Sequence, residues 1–190
     1  MIEIKILQKK FYMNDTKQVA KDLLGKTLVR KIGTQVLSGV ITETEAYKGK
    51  NDPASHASRK KTERNKIMFG EAGHAYVYFT YGMHYCFNVV AKKENDESGA
   101  VLVRAIQPEQ GIQRMIKNRK TDVISNLTNG PGKLTQAMQI TLMQYDFDLT
   151  KNTSLFIIDG KKPTKIIAKP RIGIKEGTDK LWNFSVKNHF

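Results

Sequence analysis

The stretch Ala75-Tyr76-Val77-Tyr78-Phe79-Thr80-Tyr81-Gly82-Met83-His84-Tyr85-Cys86-Phe87-Asn88-Val89-Val90 decides the architecture. Aromatic and β-branched residues crowd both halves, as they do on pleated, half-buried surfaces, and Tyr81-Gly82 between them suits a tight turn. The pattern predicts two antiparallel strands joined at a protruding hairpin tip. Upstream, Thr27–Arg30 and Gln35–Glu45 read as two further strands joined near Gly33. They follow a helix from Asp15 to Leu24 that carries Val19, Ala20, Leu23 and Leu24 at helical spacing. Asn14 or Asp15 is its candidate cap and Gly25 its stop. Downstream, Val101–Ile106 is a strand ended by Gln107-Pro108-Glu109, and helices are expected over Gly111–Asn118 and Lys133–Gln139. Ser154–Asp159, Ile166–Ala168 and Leu181–Val186 read as strands, and Pro170–Ile174 as the start of another. Strands with irregular turns and a few helices make the expected fold α+β. It is a single compact domain over residues 1–190, with a curved, mostly antiparallel sheet, flanking helices and the protruding β-hairpin.

Charge narrows the partner. Thirty-two Lys and Arg face 18 Asp and Glu, a formal net charge of +14. Such an excess favours a polyanion, because each phosphate contact releases condensed counterions. No apolar run spans a bilayer, and Met1-Ile2-Glu3-Ile4-Lys5-Ile6 is a charged alternation rather than a secretion signal. A cytoplasmic setting, nucleoid-associated in a prokaryote, is expected, without a membrane or an obligate protein partner. The single cysteine, Cys86, excludes an internal disulfide framework and reads as a buried thiol. His56, His74, His84 and His189 form no helical zinc pair, and Gly130-Pro131-Gly132-Lys133 reads as a turn before a helix rather than a nucleotide loop.

What remains is acid, aromatic and base together. In Thr42-Glu43-Thr44-Glu45-Ala46-Tyr47, alternation puts Glu43, Glu45 and Tyr47 on one strand face. Taken alone, the ordinary reading is that both glutamates face solvent at an edge strand. Core packing is the ordinary reading of Tyr76 and Tyr85, but Tyr81 before a turn glycine suits a wedge that enters a base stack. Flat rings also grip an extruded base. Arg59, Lys60, Lys61, Arg64 and Lys66 form one basic cluster and Lys117, Arg119 and Lys120 a second. Together they are candidate phosphate contacts that position a duplex without reading it. Arg64 and Asn65 are alternatively braces of the loop.

The run Ile41-Thr42-Glu43-Thr44-Glu45-Ala46-Tyr47 resembles the catalytic segment of the alkyladenine (3-methyladenine) DNA glycosylase family. Ser55-His56-Ala57, Thr62-Glu63-Arg64-Asn65, Met68-Phe69, Tyr76-Val77-Tyr78 and Tyr81–Val90 continue the resemblance in order. So do Val101–Ala105, Gly130–Leu134 and Pro170-Arg171-Ile172-Gly173-Ile174. It spans nearly the whole chain, and the spacing from Glu45 to His56 is the family's. The resemblance implies that Glu45 is the general base activating water, held with Arg104 and the backbone carbonyl of Ile172. Tyr47, His56 and Tyr78 would wall the extruded purine, with Tyr76 in support. Tyr81 would fill the gap left in the stack, and Asn88 would disfavour normal guanine. Glu43 need not reach the same site.

The implied reaction is hydrolysis of the N-glycosidic bond of alkylated or deaminated purines in duplex DNA: 3-methyladenine, 7-methylguanine, hypoxanthine or ethenoadenine. No metal or organic cofactor is implied, and no strand nicking through an amine; Lys133 is the nearest motif-borne amine. One departure lies in Ser58-Arg59-Lys60-Lys61, where related bacterial proteins carry an aromatic residue and then a glycine; it puts loop shape and lesion range in question. The competing readings are a nonenzymatic binder of damaged DNA, with charge and wedge but no water site, and an RNA-binding domain that uses its tyrosines as stacking platforms.

Overall fold

A computed structural model describes residues 5–186; Met1–Ile4 of the N-terminal alternation and His189 lie outside the described residues. The elements run α1 (Lys9–Tyr12), α2 (Thr16–Asp22), β1 (Thr27–Ile32), β2 (Gln35–Lys48), β3 (Ala75–Thr80), β4 (His84–Val90), β5 (Gly99–Gln110), α3 (Ile112–Arg119), α4 (Pro131–Met138), β6 (Leu155–Ile158), β7 (Ile166–Lys169) and β8 (Asn183–Val186). The α+β class and the antiparallel sheet are as expected. All strands join one sheet in the order β3-β4-β5-β2-β1-β6, from which β8 branches by pairing with β2 and with β7.

The long β2 organises this sheet. Its first half pairs with β1, its second half with β8, and β5 runs along it from Ser38 to Lys48. Register shifts near Ser38/Gly39 and around Glu43 curl the sheet, since each bulge bends its strand and adds twist. The first shift also corrects an expectation. Pro108 does not end β5, which continues to Gln110. Proline lacks a ladder N–H and is tolerated at a bulge; here it lies opposite Gly39, where a Cβ would stand 2.6 Å from the Gln107 carbonyl.

Asp15 caps α2 by accepting from the N–H groups of Lys17 and Gln18, at 3.0 and 3.4 Å. The apolar face of α2 (Val19, Ala20) and the Leu23 and Leu24 that follow it are fully buried in one core with Leu28, Ile41, Phe87, Val103, Leu134 and Phe184. The Thr44 hydroxyl ties the helix to β2 by donating to the Ala20 carbonyl at 2.7 Å. No helix of the described residues is long and apolar enough to cross a membrane.

Pro170–Ile174 is not the start of a strand, contrary to the expectation from its Ile-Gly-Ile pattern. It is a turn after β7, with Gly173 at φ +77°. That backbone is left-handed and leaves the ladder. The hairpin is as expected. In the Thr80–Met83 turn, both Tyr81 (φ +52°) and Gly82 (φ +67°) have positive φ, and Met83 N–H reaches the Thr80 carbonyl.

Candidate active site

Glu45 lies in the middle of β2, flanked by Leu102 of β5 on one side and Asn183 of β8 on the other. Strands on both sides leave it 0% exposed, so an edge strand facing solvent is excluded. Its carboxylate accepts four hydrogen bonds. Oε1 takes the Ile172 N–H at 2.7 Å and the Asn183 amide at 3.1 Å. Oε2 takes the Tyr47 hydroxyl at 2.8 Å and Arg104 Nη1 at 3.4 Å. A buried carboxylate is tolerable only with such partners.

Glu43 is closer to the site than expected. Arg104 Nε donates to it at 3.1 Å and Asn183 Nδ2 at 2.7 Å, so one guanidinium and one amide bridge both glutamates. The shared face predicted by alternation is kept because Glu43 to Glu45 pair in unbroken register with β8, and the planar Arg104 guanidinium spans both carboxylates. Those contacts use two of the five guanidinium donors; among the described residues the others take no protein partner, and Arg104 borders a cavity.

That cavity, of about 220 Å³, is lined by Tyr47, His56, Met68, Tyr76, Tyr78, Tyr81, Cys86, Asn88, Leu102, Arg104, Pro131 and Ile172, among others. Three of the four groups that hold Glu45 therefore also line the slot, and the carboxylate sits one hydrogen bond behind its wall. Aromatic rings dominate. His56 and Tyr78 meet edge to face with centroids 4.7 Å apart, and Tyr76 and Tyr78 lie 5.2 Å apart. Burial raises the phenols of Tyr76 and Tyr78; burial and the adjacent Glu45 charge raise that of Tyr47. All three remain neutral hydroxyls.

His56 is exposed at the mouth as a residue, yet its ring packs on the two tyrosines, with Nδ1 2.8 Å from the Tyr76 hydroxyl oxygen. Desolvation of the ring, and then the Arg64 charge, lower its pKa to about 4. The imidazole is therefore neutral at physiological pH. Asn88, buried in the slot wall, donates through Nδ2 to the Tyr76 carbonyl at 3.0 Å. Cys86 is buried as expected, but it also forms part of the slot; burial raises its thiol. Tyr81 stands 82% exposed at the hairpin tip beside the mouth.

The basic candidates divide. Asn65 is a brace, donating to the carbonyls of His56 (2.7 Å) and Lys60 (2.9 Å). Arg64 lies over the Tyr78 ring at 4.9 Å, while Arg59 and Lys60 are exposed. Lys61 stands over Phe69, and Lys66 pairs with Glu63 at 2.7 Å. The second cluster is not part of the slot. Lys117 is exposed on α3, Lys120 terminates that helix at φ +52°, and Arg119 is bonded to Gln136 of α4.

Ile172 reaches Glu45 directly through its backbone N–H, a contact beyond the carbonyl role that the resemblance implies. Asn183, Asp52 and Arg171 were not legible as site residues. Asn183 is a lone amide within the apolar alternation of β8, a weak signal, and Asp52 and Arg171 meet across 119 positions.

Residues 10–190 match the family model described as methylpurine-DNA glycosylase. A relative from Prosthecochloris aestuarii is 50% identical over 175 residues, covering 90% of this chain and 83% of its own. One from Carboxydothermus hydrogenoformans is 47% identical over 186 residues, covering 97% and 96%. One from Methanocella arvoryzae is 45% identical over 187 residues, covering 96% and 93%. All three carry the name "Putative 3-methyladenine DNA glycosylase".

Proposed function

The chain belongs to the methylpurine-DNA glycosylase family and is a 3-methyladenine DNA glycosylase of DNA repair; from that premise we propose how its residues carry out the hydrolysis. The carrying observation is a fully buried carboxylate, bound by four donors, directly behind an aromatic slot.

The whole chain acts as one catalytic domain on duplex DNA. Exposed cations at the slot mouth hold phosphates, and the damaged purine leaves the stack for the slot. Tyr81 occupies the vacancy and offsets part of the few kcal/mol that unstacking costs. Tyr47, His56 and Tyr78 wall the base and Tyr76 supports His56. Electron-rich rings favour an N3- or N7-alkylated purine, which carries positive charge. Neutral hypoxanthine or ethenoadenine gains only stacking and hydrogen bonds, and neutral His56 offers one such partner. Asn88, pinned on the Tyr76 carbonyl, stands where the 2-amino group of normal guanine would lie.

As the base departs, positive charge develops on the sugar. Glu45, ionised, stabilises that charge and takes a proton from water lodged between Arg104 and Ile172. Water adds to the anomeric carbon, the glycosidic electron pair leaves with the purine, and an abasic sugar remains in an uncut strand. An alkylated base departs readily because it is already cationic. No protein amine enters the reaction.

The test is a panel of duplexes carrying 3-methyladenine, 7-methylguanine, hypoxanthine or ethenoadenine, with free base quantified. Release of alkylated bases without strand cleavage is expected. A borohydride-trapped protein–DNA adduct would refute the water mechanism, and tight binding without release of any base would favour the nonenzymatic binder.

A further inference from the structure

The Asp52–Arg171 pair is the most deeply buried ion pair of the described residues, with both side chains 0% exposed. Arg171 grips Asp52 in fork geometry, Nη1 to Oδ2 and Nη2 to Oδ1, both at 2.7 Å. Nη1 also donates to the Ala46 carbonyl at 3.0 Å, and Asp52 Oδ2 accepts the Lys48 N–H at 3.0 Å. The guanidinium lies over Tyr47 at 4.7 Å and Trp182 at 5.1 Å. Its Nε is buried without a partner.

Such a pair is a poor source of stability. Desolvating two ions largely cancels their attraction, and an orphaned donor adds a further cost. It is a good way to fix a peptide unit. Arg171 directly precedes Ile172, whose N–H binds Glu45 Oε1, and packs on Tyr47, whose hydroxyl binds Oε2. One guanidinium therefore holds the sources of two of the four hydrogen bonds on Glu45. Its bonds to Ala46 and Asp52, and the bond that Asp52 accepts from the Lys48 N–H, secure the end of the strand that carries Glu45.

We infer that Asp52 and Arg171 are positioning residues for the hydrolysis: through the Ile172 peptide and the Tyr47 ring they aim the Glu45 carboxylate, without touching DNA or water. The inference rests on Glu45 as the base, and the test separates the two. Asp52→Asn and Arg171→Lys remove the fork while keeping size or charge. Each is expected to slow single-turnover base release by about 10- to 100-fold, the range for a reacting group displaced by an ångström. Affinity for a duplex containing a tetrahydrofuran abasic analogue should be unchanged, because slot and wedge remain. A folded variant with wild-type release would overturn the inference, as would rate and analogue affinity falling together. If Glu45→Gln abolishes release in the same assay while these variants match the wild type, only the positioning role fails; if Glu45→Gln is active, the base assignment fails. Hydrogen exchange on the wild-type protein needs no variant. The Ile172 amide should be protected although its side chain is exposed, and fast exchange there would equally overturn the inference.

Discussion

Replacing Glu45 by Gln removes the proposed base while leaving its shape, and the hydrogen bonds say which way the new amide turns. With its nitrogen at the Oε1 position, it would confront the Ile172 N–H, which cannot reverse, and the Asn183 amide, whose flip would break its 2.7 Å bond to Glu43. At the Oε2 position it meets Tyr47, whose hydroxyl can rotate and accept, and Arg104, whose 3.4 Å bond is the longest of the four. The second orientation wins. Its structural cost is one weakened contact, at most about 1–3 kcal/mol, and Arg104 keeps Glu43 at 3.1 Å. The fold and slot should persist. The chemistry should not, because a positioned general base contributes roughly 10²–10⁴ in rate. Gln also withdraws the full negative charge facing the developing cation, an electrostatic term of about 10²–10³. The two overlap in one group, so a loss of at least about 10³ is expected, near 4 kcal/mol at about 1.36 kcal/mol per decade. The assay is single-turnover release of 7-methylguanine or hypoxanthine under enzyme excess, beside anisotropy binding to an abasic-analogue duplex. Release at the wild-type rate refutes the base assignment. An equal loss of analogue binding refutes the claim that the amide leaves the slot intact.

Two further outcomes follow from the mouth of the slot. Tyr81→Ala should reduce excision by about tenfold or more on a well-paired lesion, where the few kcal/mol of unstacking are largest, and weaken abasic-analogue binding less; equal losses on both would count against gap filling. Arg64→Met should raise the His56 midpoint from about 4, without reaching the free value of about 6.5 because the ring stays packed on Tyr76 and Tyr78. The sign follows from proton uptake. Between those values the unfolded chain binds the proton and the folded one does not, so His56 favours folding fully above the upper value and loses that contribution as pH falls to the lower. The variant should shrink this window from its acidic end, and an unmoved ring titration by NMR would refute the electrostatic part of the argument.

Local chemistry made most of the scaffold legible. The β-branched run of β2, the Asp15 cap and Tyr81-Gly82 each specify their own conformation, and the Glu43/Glu45/Tyr47 alternation placed three side chains on one face before any pairing was known. Pro108 and Pro170–Ile174 misled because their meaning depends on a partner. A proline ends a strand unless the ladder bulges beside it, as β5 does at Glu109 where Pro108 faces Gly39 and Gln110 faces Ser38. An Ile-Gly-Ile triplet extends a strand unless its amides are needed elsewhere, as that of Ile172 is. Asn183 and Arg171 were hidden for the same reason. Their roles are defined by Glu45 and Asp52, more than a hundred positions away, and nothing in their own neighbourhoods signals it.

The division of labour within the site explains why its rigid and adaptable parts sit where they do. A base must be held to fractions of an ångström, and the proposed base, Glu45, is placed on the central strand between β5 and β8, with no exposed surface and every donor aimed. Recognition of varied lesions in varied sequence tolerates more play. In the proposed mechanism it falls to the exposed hairpin tip and to the loop segment 56–64, beyond the point where Arg171 anchors Asp52. Asn65 limits that freedom where it matters, pinning the carbonyls of His56 and Lys60 so that the ring facing the base cannot drift with the charged residues beside it. The unusual Ser58–Lys61 segment lies inside this braced arc. Substitutions there should therefore change phosphate contact and lesion entry before they disturb the carboxylate, which is held separately through Asp52, Arg171 and the Ile172 peptide.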